Sequence, residues 1–372
     1  MRRLIKRVVV FVCPIIAFFL LPTIILIFSK ENYHEVNELL DSEDDFLLGY
    51  AYNESNYKYI KWESLCSAKQ VNIVALGSSR VLKFREQMFT DSFYNAGYSI
   101  KGICDFDIFI RSIPVSQHPQ YLIVGLDQWM FNANWDNLKV KPSKGNWSES
   151  FATLPSFATN INIYQDLLGK KYNYYDFNQK DARIRIGLNA FVNDKGMRND
   201  GSFDEGVQIT NLLSKNGIAY DNEFRTTLSR VKSGKARFAF ANQINDEVFR
   251  CLEEFLMFCN AAGIQVIAFL PPFADTVNRE MEQSGKYGYM KDIHKLVLPV
   301  FEKYGFEMYD YTNINSFQAS DEMMLDGFHI GEVGQANMLL SMLRHGSSLN
   351  SVCDSSLLKT EISEARNSLQ VY

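Results

Sequence analysis

The apolar and polar positions divide the chain into stretches of different character. Residues 8–28 carry no charge and are mostly aliphatic or aromatic. About 20 such residues are what an α-helix needs to cross the hydrocarbon core of a bilayer. Pro14 and Pro22 fall inside this run and predict kinks that membrane helices tolerate. Residues 31–67 turn polar and acidic, with Tyr50, Tyr52, Tyr57, Tyr59 and Trp62 scattered among them, and read as a stalk followed by a first helix. Short apolar runs then take over. Residues 71–76, 92–95 and 121–126 have strand length and β-branched or aromatic content. Residues 81–89 and 104–113 lie between them with helical apolar spacing, and Pro114 stops the second.

From Trp129 to about residue 244 this rhythm breaks. Aromatic residues such as Trp135, Trp147, Phe151, Phe157 and Tyr164 stand among many Asn, Asp, Lys and Ser. An insertion at the carboxyl end of a strand would cover a site there. Its aromatic residues read either as a sugar-binding surface or as the small core of an ordinary cap. The alternation then returns. Residues 245–262 form an amphipathic pattern closed by Gly263, 264–270 and 306–311 read as strands, and 293–301 as a helix. Strands alternating with helices predict an α/β fold with a parallel sheet. The divisions expected are a basic tip and anchor at 1–30, a stalk and first helix at 31–68, an α/β domain at 69–346 with the insertion at about 129–244, and a loosely ordered polar tail at 347–372.

Charge and cysteine usage sharpen the placement. Arg2, Arg3, Lys6 and Arg7 precede the apolar run, and basic flanks stay cytoplasmic. The chain is therefore expected to be single-pass in the plasma (inner) membrane, N-terminus inside, with the main domain extracytoplasmic. A cleaved signal peptide is the rival reading, but Phe28-Ser29-Lys30-Glu31-Asn32 offers no small-x-small cleavage site. The net charge of −5, without a basic patch, argues against a nucleic-acid partner. Cys251 and Cys259 would sit about 12 Å apart on one helix face, too far to bridge each other. The other cysteines show no framework spacing, and buried free thiols are expected. No cofactor or metal is implied. The acidic run at 41–45 lacks the alternating ligands and central glycine of a calcium loop, and no Cys/His spacing suits zinc.

Two motifs carry chemistry. Gly77-Ser78-Ser79 ends the first buried strand, where open α/β sheets bind ligands. Either serine serves there as a helix N-cap, or one is a nucleophile with a base nearby. Far downstream, Asp326-Gly327-Phe328-His329 places an acid three residues before a histidine. Such a carboxylate can hold the imidazole tautomer while the other ring nitrogen faces a nucleophile. Only His329 has an Asp partner at this spacing: His34 lies in the expected stalk, His118 precedes a Pro in a loop, His294 sits on a helix beside Lys295, and His345 is at a helix end.

On these blocks the chain resembles the SGNH, or GDSL-type, hydrolases over residues 69–128 and 261–343. The resemblance implies a flavodoxin-like three-layer α/β/α fold with a central parallel sheet. It makes Ser79 the nucleophile, with Asp326 and His329 as acid and base. Asn95-Ala96-Gly97 matches the second block, with Gly97 offering an oxyanion N–H, and Gly125-Leu126-Asp127-Gln128 matches the third. Two departures stand out: Ser78 replaces the usual Asp, and Asp127 stands where the family has Asn. Asp127 is expected to be protonated by burial, to be paired with Arg80, or to mark an inactive site; pairing with Arg80 is the favoured expectation. The Gly-Ser-Ser variant behind an anchor is most similar to the branch that acylates cell-surface polymers, including alginate O-acetylation proteins and the extracellular protein of teichoic-acid D-alanylation. It implies a serine esterase or O-acyltransferase acting on a cell-surface or exported polysaccharide, with a polytopic membrane acyltransferase as a partner. The alternative is a non-catalytic glycan-binding or assembly protein on the same fold.

Overall fold

The structure, a computed structural model, describes residues 1–32, 39–40, 44–67, 70–135, 156–172, 183–214 and 221–372. Its strands are, in chain order, β1 Phe46–Leu48, β2 Ile73–Leu76, β3 Phe93–Ala96, β4 Tyr121–Gly125, β5 Ile184–Ile186, β6 Gly196–Met197, β7 Phe203–Asp204, β8 Gln265–Leu270 and β9 Glu307–Asp310. The chain forms two compact units.

The larger unit comprises Ile60–Trp147, Asp200–Ser202 and Gln208–Tyr372. Its sheet has the order β3-β2-β4-β8-β9 with every pair parallel. β2 and β3 are buried at every position and β8 at all but its first, the near-continuous apolar pattern of strands covered on both faces. The five expected strands appear within a few residues of their expected bounds. Helices follow at Cys104–Ser112, Glu247–Ala261, Ile293–Glu302 and Glu332–Arg344. Leu76 pairs with both Ala96 and Val124, so β2, β3 and β4 end level with one another.

Three expectations are corrected in this unit. Residues 81–89 form no α-helix but two short 3₁₀ turns, Ser79–Val81 and Glu86–Met88. The Asn95 side-chain amide takes the carbonyls of Val81 and Phe84 at 2.8 and 3.0 Å, so these acceptors are satisfied across the fold rather than along a helix. Cys104 and Cys251 form a disulfide between the helices Cys104–Ser112 and Glu247–Ala261. Sequence spacing could not show that these two helices pack together. Cys259 and Cys353 are buried free thiols, and burial pushes Cys353 up to about 12. The tail is also built in: Ser355–Ser363 is helical, and Glu332 Oε2 accepts the N–H groups of Val371 and Tyr372 at 3.0 and 3.2 Å.

The smaller unit comprises Met1–Tyr59, Ser148–Asn199 and Phe203–Val207. The helix Arg2–Phe28 contains the one segment among the described residues long and apolar enough to cross a membrane, Lys6–Phe28, with mean hydropathy 2.8. Just beyond it, the buried Glu31 carboxylate accepts the N–H groups of Ala51, Tyr52, Asn53 and Leu188 at 2.6–3.2 Å. Burial pushes this carboxyl up while those N–H groups pull it down. A four-stranded sheet, order β5-β1-β6-β7, incorporates residues 46–48, so this part of the expected stalk is packed structure. The acidic run at 41–45 lies largely outside the described residues.

The expected insertion does not behave as one cap. Trp129, Met130 and Phe131 are buried in the core of the larger unit. Phe157 and Tyr164 lie on the helix Phe157–Leu168 of the smaller unit, against the ring of Phe18 at 5.8 and 5.1 Å. Trp147 and Phe151 lie outside the described residues.

Candidate active site

The turn after β2 places the two serines in different roles. Ser78 is extended and its Oγ accepts the Arg80 N–H at 3.2 Å, which is the N-cap role. Ser79 opens the 3₁₀ turn, and its Oγ lies 2.8 Å from His329 Nε2. The turn can come this close to the sheet because Gly77 and Gly125 leave room for Val81. A Cβ on Gly125 would stand 2.5 Å from Val81 Cγ1, and one on Gly77 2.8 Å.

The loop at 323–331 is closed by an antiparallel bridge between Met324 and Ile330 and by Leu325 N–H donating to the His329 carbonyl at 2.8 Å. Inside it, Asp326 Oδ1 accepts the backbone N–H groups of Phe328 and His329 at 2.9 and 2.7 Å. Asp326 Oδ2 lies 2.8 Å from His329 Nδ1. Burial pushes the Asp326 carboxyl up, but the charge and hydrogen bond of His329 and the two N–H groups outweigh it and hold the carboxyl below its usual range. His329 is 22% exposed and Ser79 is partly exposed, so the pair can be reached from solvent.

Arg80 ties the loops of this edge together. Although 3% exposed, it donates from Nε to the Phe328 carbonyl at 2.8 Å, from Nη1 to Gln128 Oε1 at 2.8 Å, and from Nη2 to the Pro272 carbonyl. Its Nη1 is 3.4 Å from Asp127 Oδ1, an ion pair with both side chains 1% exposed. Its guanidinium also lies over the rings of Phe273 and Trp129 at 4.5 and 5.2 Å. Burial lowers the Arg80 pKa to about 10, against the pull of Asp127 and Asp326, so it stays charged near neutrality. Burial raises Asp127, and Arg80, Ser78 and Arg237 offset that only in part. Among the described residues Asp127 Oδ2 has no hydrogen bond of good geometry. Asp127 is thus covered by Arg80 and faces no open site.

The second block sits differently from the expectation. Asn95 is fully buried, its amide nitrogen bound to Val81 and Phe84, while its Oδ1 accepts the Gly97 N–H at 2.9 Å. The Gly97 N–H is therefore already engaged, and Asn95 has no face toward a ligand. Sequence reasoning gave no role to Gln128, which donates to the Pro271 carbonyl and Thr312 Oγ1 at 2.7 and 2.9 Å while receiving Arg80. Its only signal was its place beside Asp127 at a strand end. Arg85 was missed as well: it pairs, buried, with Glu332 at the start of the closing helix, a second brace between the Ser79 and His329 segments.

A separate cavity of about 290 Å³ opens beside the end of β9, between Asp310, Thr312, Tyr287 and Lys291, and is not lined by Ser79. Among the described residues no group of three or more His, Cys, Asp or Glu side chains is arranged to hold a metal ion. Chemically, the arrangement offers a hydroxyl, an imidazole and a carboxylate in line, braced from behind by a buried guanidinium. Compared with the models of known protein families and with curated proteins, the chain matches none of them.

Proposed function

We propose that this protein is a membrane-anchored, extracytoplasmic serine esterase or O-acyltransferase with an SGNH-like three-layer fold, acting on acyl esters of a cell-surface or exported polysaccharide. The observation that carries the reading is the relay from Ser79 Oγ to His329 to Asp326, with both hydrogen bonds at 2.8 Å. In the proposed reaction His329 Nε2 takes the Ser79 proton as Oγ attacks the ester carbonyl. The tetrahedral intermediate collapses, the leaving alkoxide takes the proton from His329, and an acyl-serine remains. Water or a polymer hydroxyl then attacks, with His329 again as base. Asp326 fixes the imidazole tautomer and stabilises its charged form.

The oxyanion would be met by the Ser79 N–H, which opens its turn and has no partner within it. Because Gly97 already donates to Asn95, the ground-state site lacks the second expected donor. One missing donor costs about 10²–10³ in rate. This engaged N–H, together with Asp127 in place of the family's Asn, favours the second reading: a glycan-binding or assembly protein that kept the fold, partnering a polytopic membrane acyltransferase. Support for the outward placement comes from the apolar helix behind a basic flank and from the Cys104–Cys251 bridge, since disulfides persist in oxidising compartments.

The test is hydrolysis of 4-nitrophenyl acetate by the full-length protein in detergent. Ser79→Ala abolishes turnover with the melt unchanged, while Ser78→Ala costs about 1 kcal/mol of stability through its cap and keeps turnover. Turnover that survives Ser79→Ala contradicts the reading.

A further inference from the structure

Beside His329 lies a buried aromatic cluster. Phe328 stands 4.2 Å from the imidazole, with Trp129 and Phe238 edge-on to it at 6.0 and 5.8 Å. Two further guanidiniums cover this cluster. Arg237 lies over Trp129 at 5.0 Å, on a ring that also carries Arg80 at 5.2 Å. Arg230 lies over Phe238 and Phe328 at 5.2 and 5.5 Å. Unlike Arg80, both are partly exposed. Among the described residues neither joins an ion pair, although neighbouring Arg225 and Lys232 do.

From this arrangement we infer that the mouth of the Ser79 site binds a negatively charged substituent of the substrate, a carboxylate or a phosphate, through Arg230 and Arg237. The inference rests on reading Ser79 as the centre of an ester site and adds the charge class of what is read there.

Three considerations carry it. The first is charge. Arg80 and Arg237 lie near Asp127, whose carboxylate is committed to Arg80, while Asp326 is committed to His329 and Arg230 covers the adjoining rings. Burial pushes the Asp127 carboxyl up, and the charge of Arg237 is close enough to depress Arg80. An excess of positive charge is therefore held together, and an anion relieves it. The second is donor geometry. Among the described residues the N–H groups of Arg230 and Arg237 join no ion pair, and the edge of a guanidinium matches the oxygens of a carboxylate or phosphate. Apolar side chains would cover the rings as well without concentrating charge.

The third is the way the two arginines are held. Arg230 is in the last turn of the helix Arg225–Ser233, which ends at Gly234 with φ +62°. Ala236 then takes φ +54°, a left-handed conformation that costs a residue with a Cβ about 1 kcal/mol or more. Tyr287 Oη lies 2.7 and 2.9 Å from the carbonyls of Val231 and Phe238, pinning both ends of the bend. The bend between these pinned ends brings Arg237 to the cluster that Arg230 already covers. Strained backbone persists where the surroundings fix it, and such positions concentrate at binding sites.

The experiment measures acetate release by the full-length protein at low salt from acetylated xylo-oligosaccharide, acetylated oligogalacturonate and acetylated glucose 6-phosphate. The expected result is a kcat/KM at least roughly 10-fold higher for a charged ester than for the neutral one, lying in KM and shrinking with added salt, as charge-assisted contacts require. Arg230→Gln and Arg237→Gln bring the ratio of charged to neutral kcat/KM toward one. Whether oligogalacturonate or the sugar phosphate shows the larger advantage identifies the anion. Equal use of all three esters by the parent, or a preference untouched by both variants, overturns the inference. If no ester turns over, the esterase reading fails and the anion inference is judged by calorimetry on Ser79→Ala. Binding of oligogalacturonate or glucose 6-phosphate that weakens in the arginine variants upholds it, and binding no tighter than that of neutral xylo-oligosaccharide overturns it.

Discussion

Removing the Arg80 guanidinium tests how the site is held. Arg80→Ala deletes the donors to the carbonyls of Phe328 and Pro272 and to Gln128 Oε1. It also leaves Asp127 buried without its cation. Breaking a buried pair by deleting one partner costs about 3–5 kcal/mol, because the remaining charge stays desolvated. At roughly 2–4 °C per kcal/mol for a domain of this size, the melt falls by about 6–20 °C. Turnover falls as well, because the Phe328 carbonyl that Arg80 holds is one peptide from His329. The pH dependence has a definite sign. Burial already raises the folded-state pKa of Asp127, and losing Arg80 raises it further. A carboxyl raised in the folded state favours folding when protonated, so the deficit of Arg80→Ala shrinks as pH falls through that raised value. Asp127→Asn removes the charge while keeping the shape, is mild alone, and recovers part of the stability lost in Arg80→Ala. The assay is thermal melting of the four proteins of the double-mutant cycle between pH 4 and 8, with ester hydrolysis beside it. A harmless Arg80→Ala, or a deficit that grows toward acid, refutes the reasoning.

Gly125→Ala puts a Cβ 2.5 Å from Val81 Cγ1. It is expected to cost about 1–3 kcal/mol by melting and to lower kcat through displacement of the Ser79 turn. Asp326→Asn is expected to lower kcat by about 10⁴ with the fold retained, by loss of the correct imidazole tautomer. Because the Asp326 carboxyl is held below its usual range, the stability it contributes is present above its unfolded pKa and fades as pH falls through the folded one. The acid-side fall in melting temperature should therefore be shallower in the variant than in the parent. Thiol titration of the denatured, unreduced chain is expected to find the four cysteines outside the Cys104–Cys251 bridge. Replacing both bridged cysteines with serine is expected to lower stability by about 2–5 kcal/mol.

What the sequence made legible was what depends on neighbours in the chain. β2, β4 and β8 are short apolar runs bounded by Gly or Pro, and each appears where its pattern placed it. The Asp326 to His329 spacing lies within a single closed loop, so its geometry is local. The pairing of Arg80 with Asp127 followed from charge and position at two strand ends. What escaped depends on distant groups. The turns at 79–88 are met by the Asn95 amide nitrogen, which no local pattern reveals, while the oxygen of the same amide accepts the Gly97 N–H. The Cys104–Cys251 bridge needed two helices to be known as neighbours. The tail reads as polar because its apolar residues are few and scattered, yet Leu349, Val352, Leu358 and Leu369 are buried, and its last residues also donate backbone N–H groups to Glu332.

The central claim is that Ser79 is an activated nucleophile, and the direct measurement is covalent labelling by a fluorophosphonate probe followed by peptide mass spectrometry. The account predicts one modified residue, Ser79, with labelling abolished in Ser79→Ala and in His329→Ala and strongly slowed in Asp326→Asn. An unlabelled but folded parent, or label on Ser78, would contradict it.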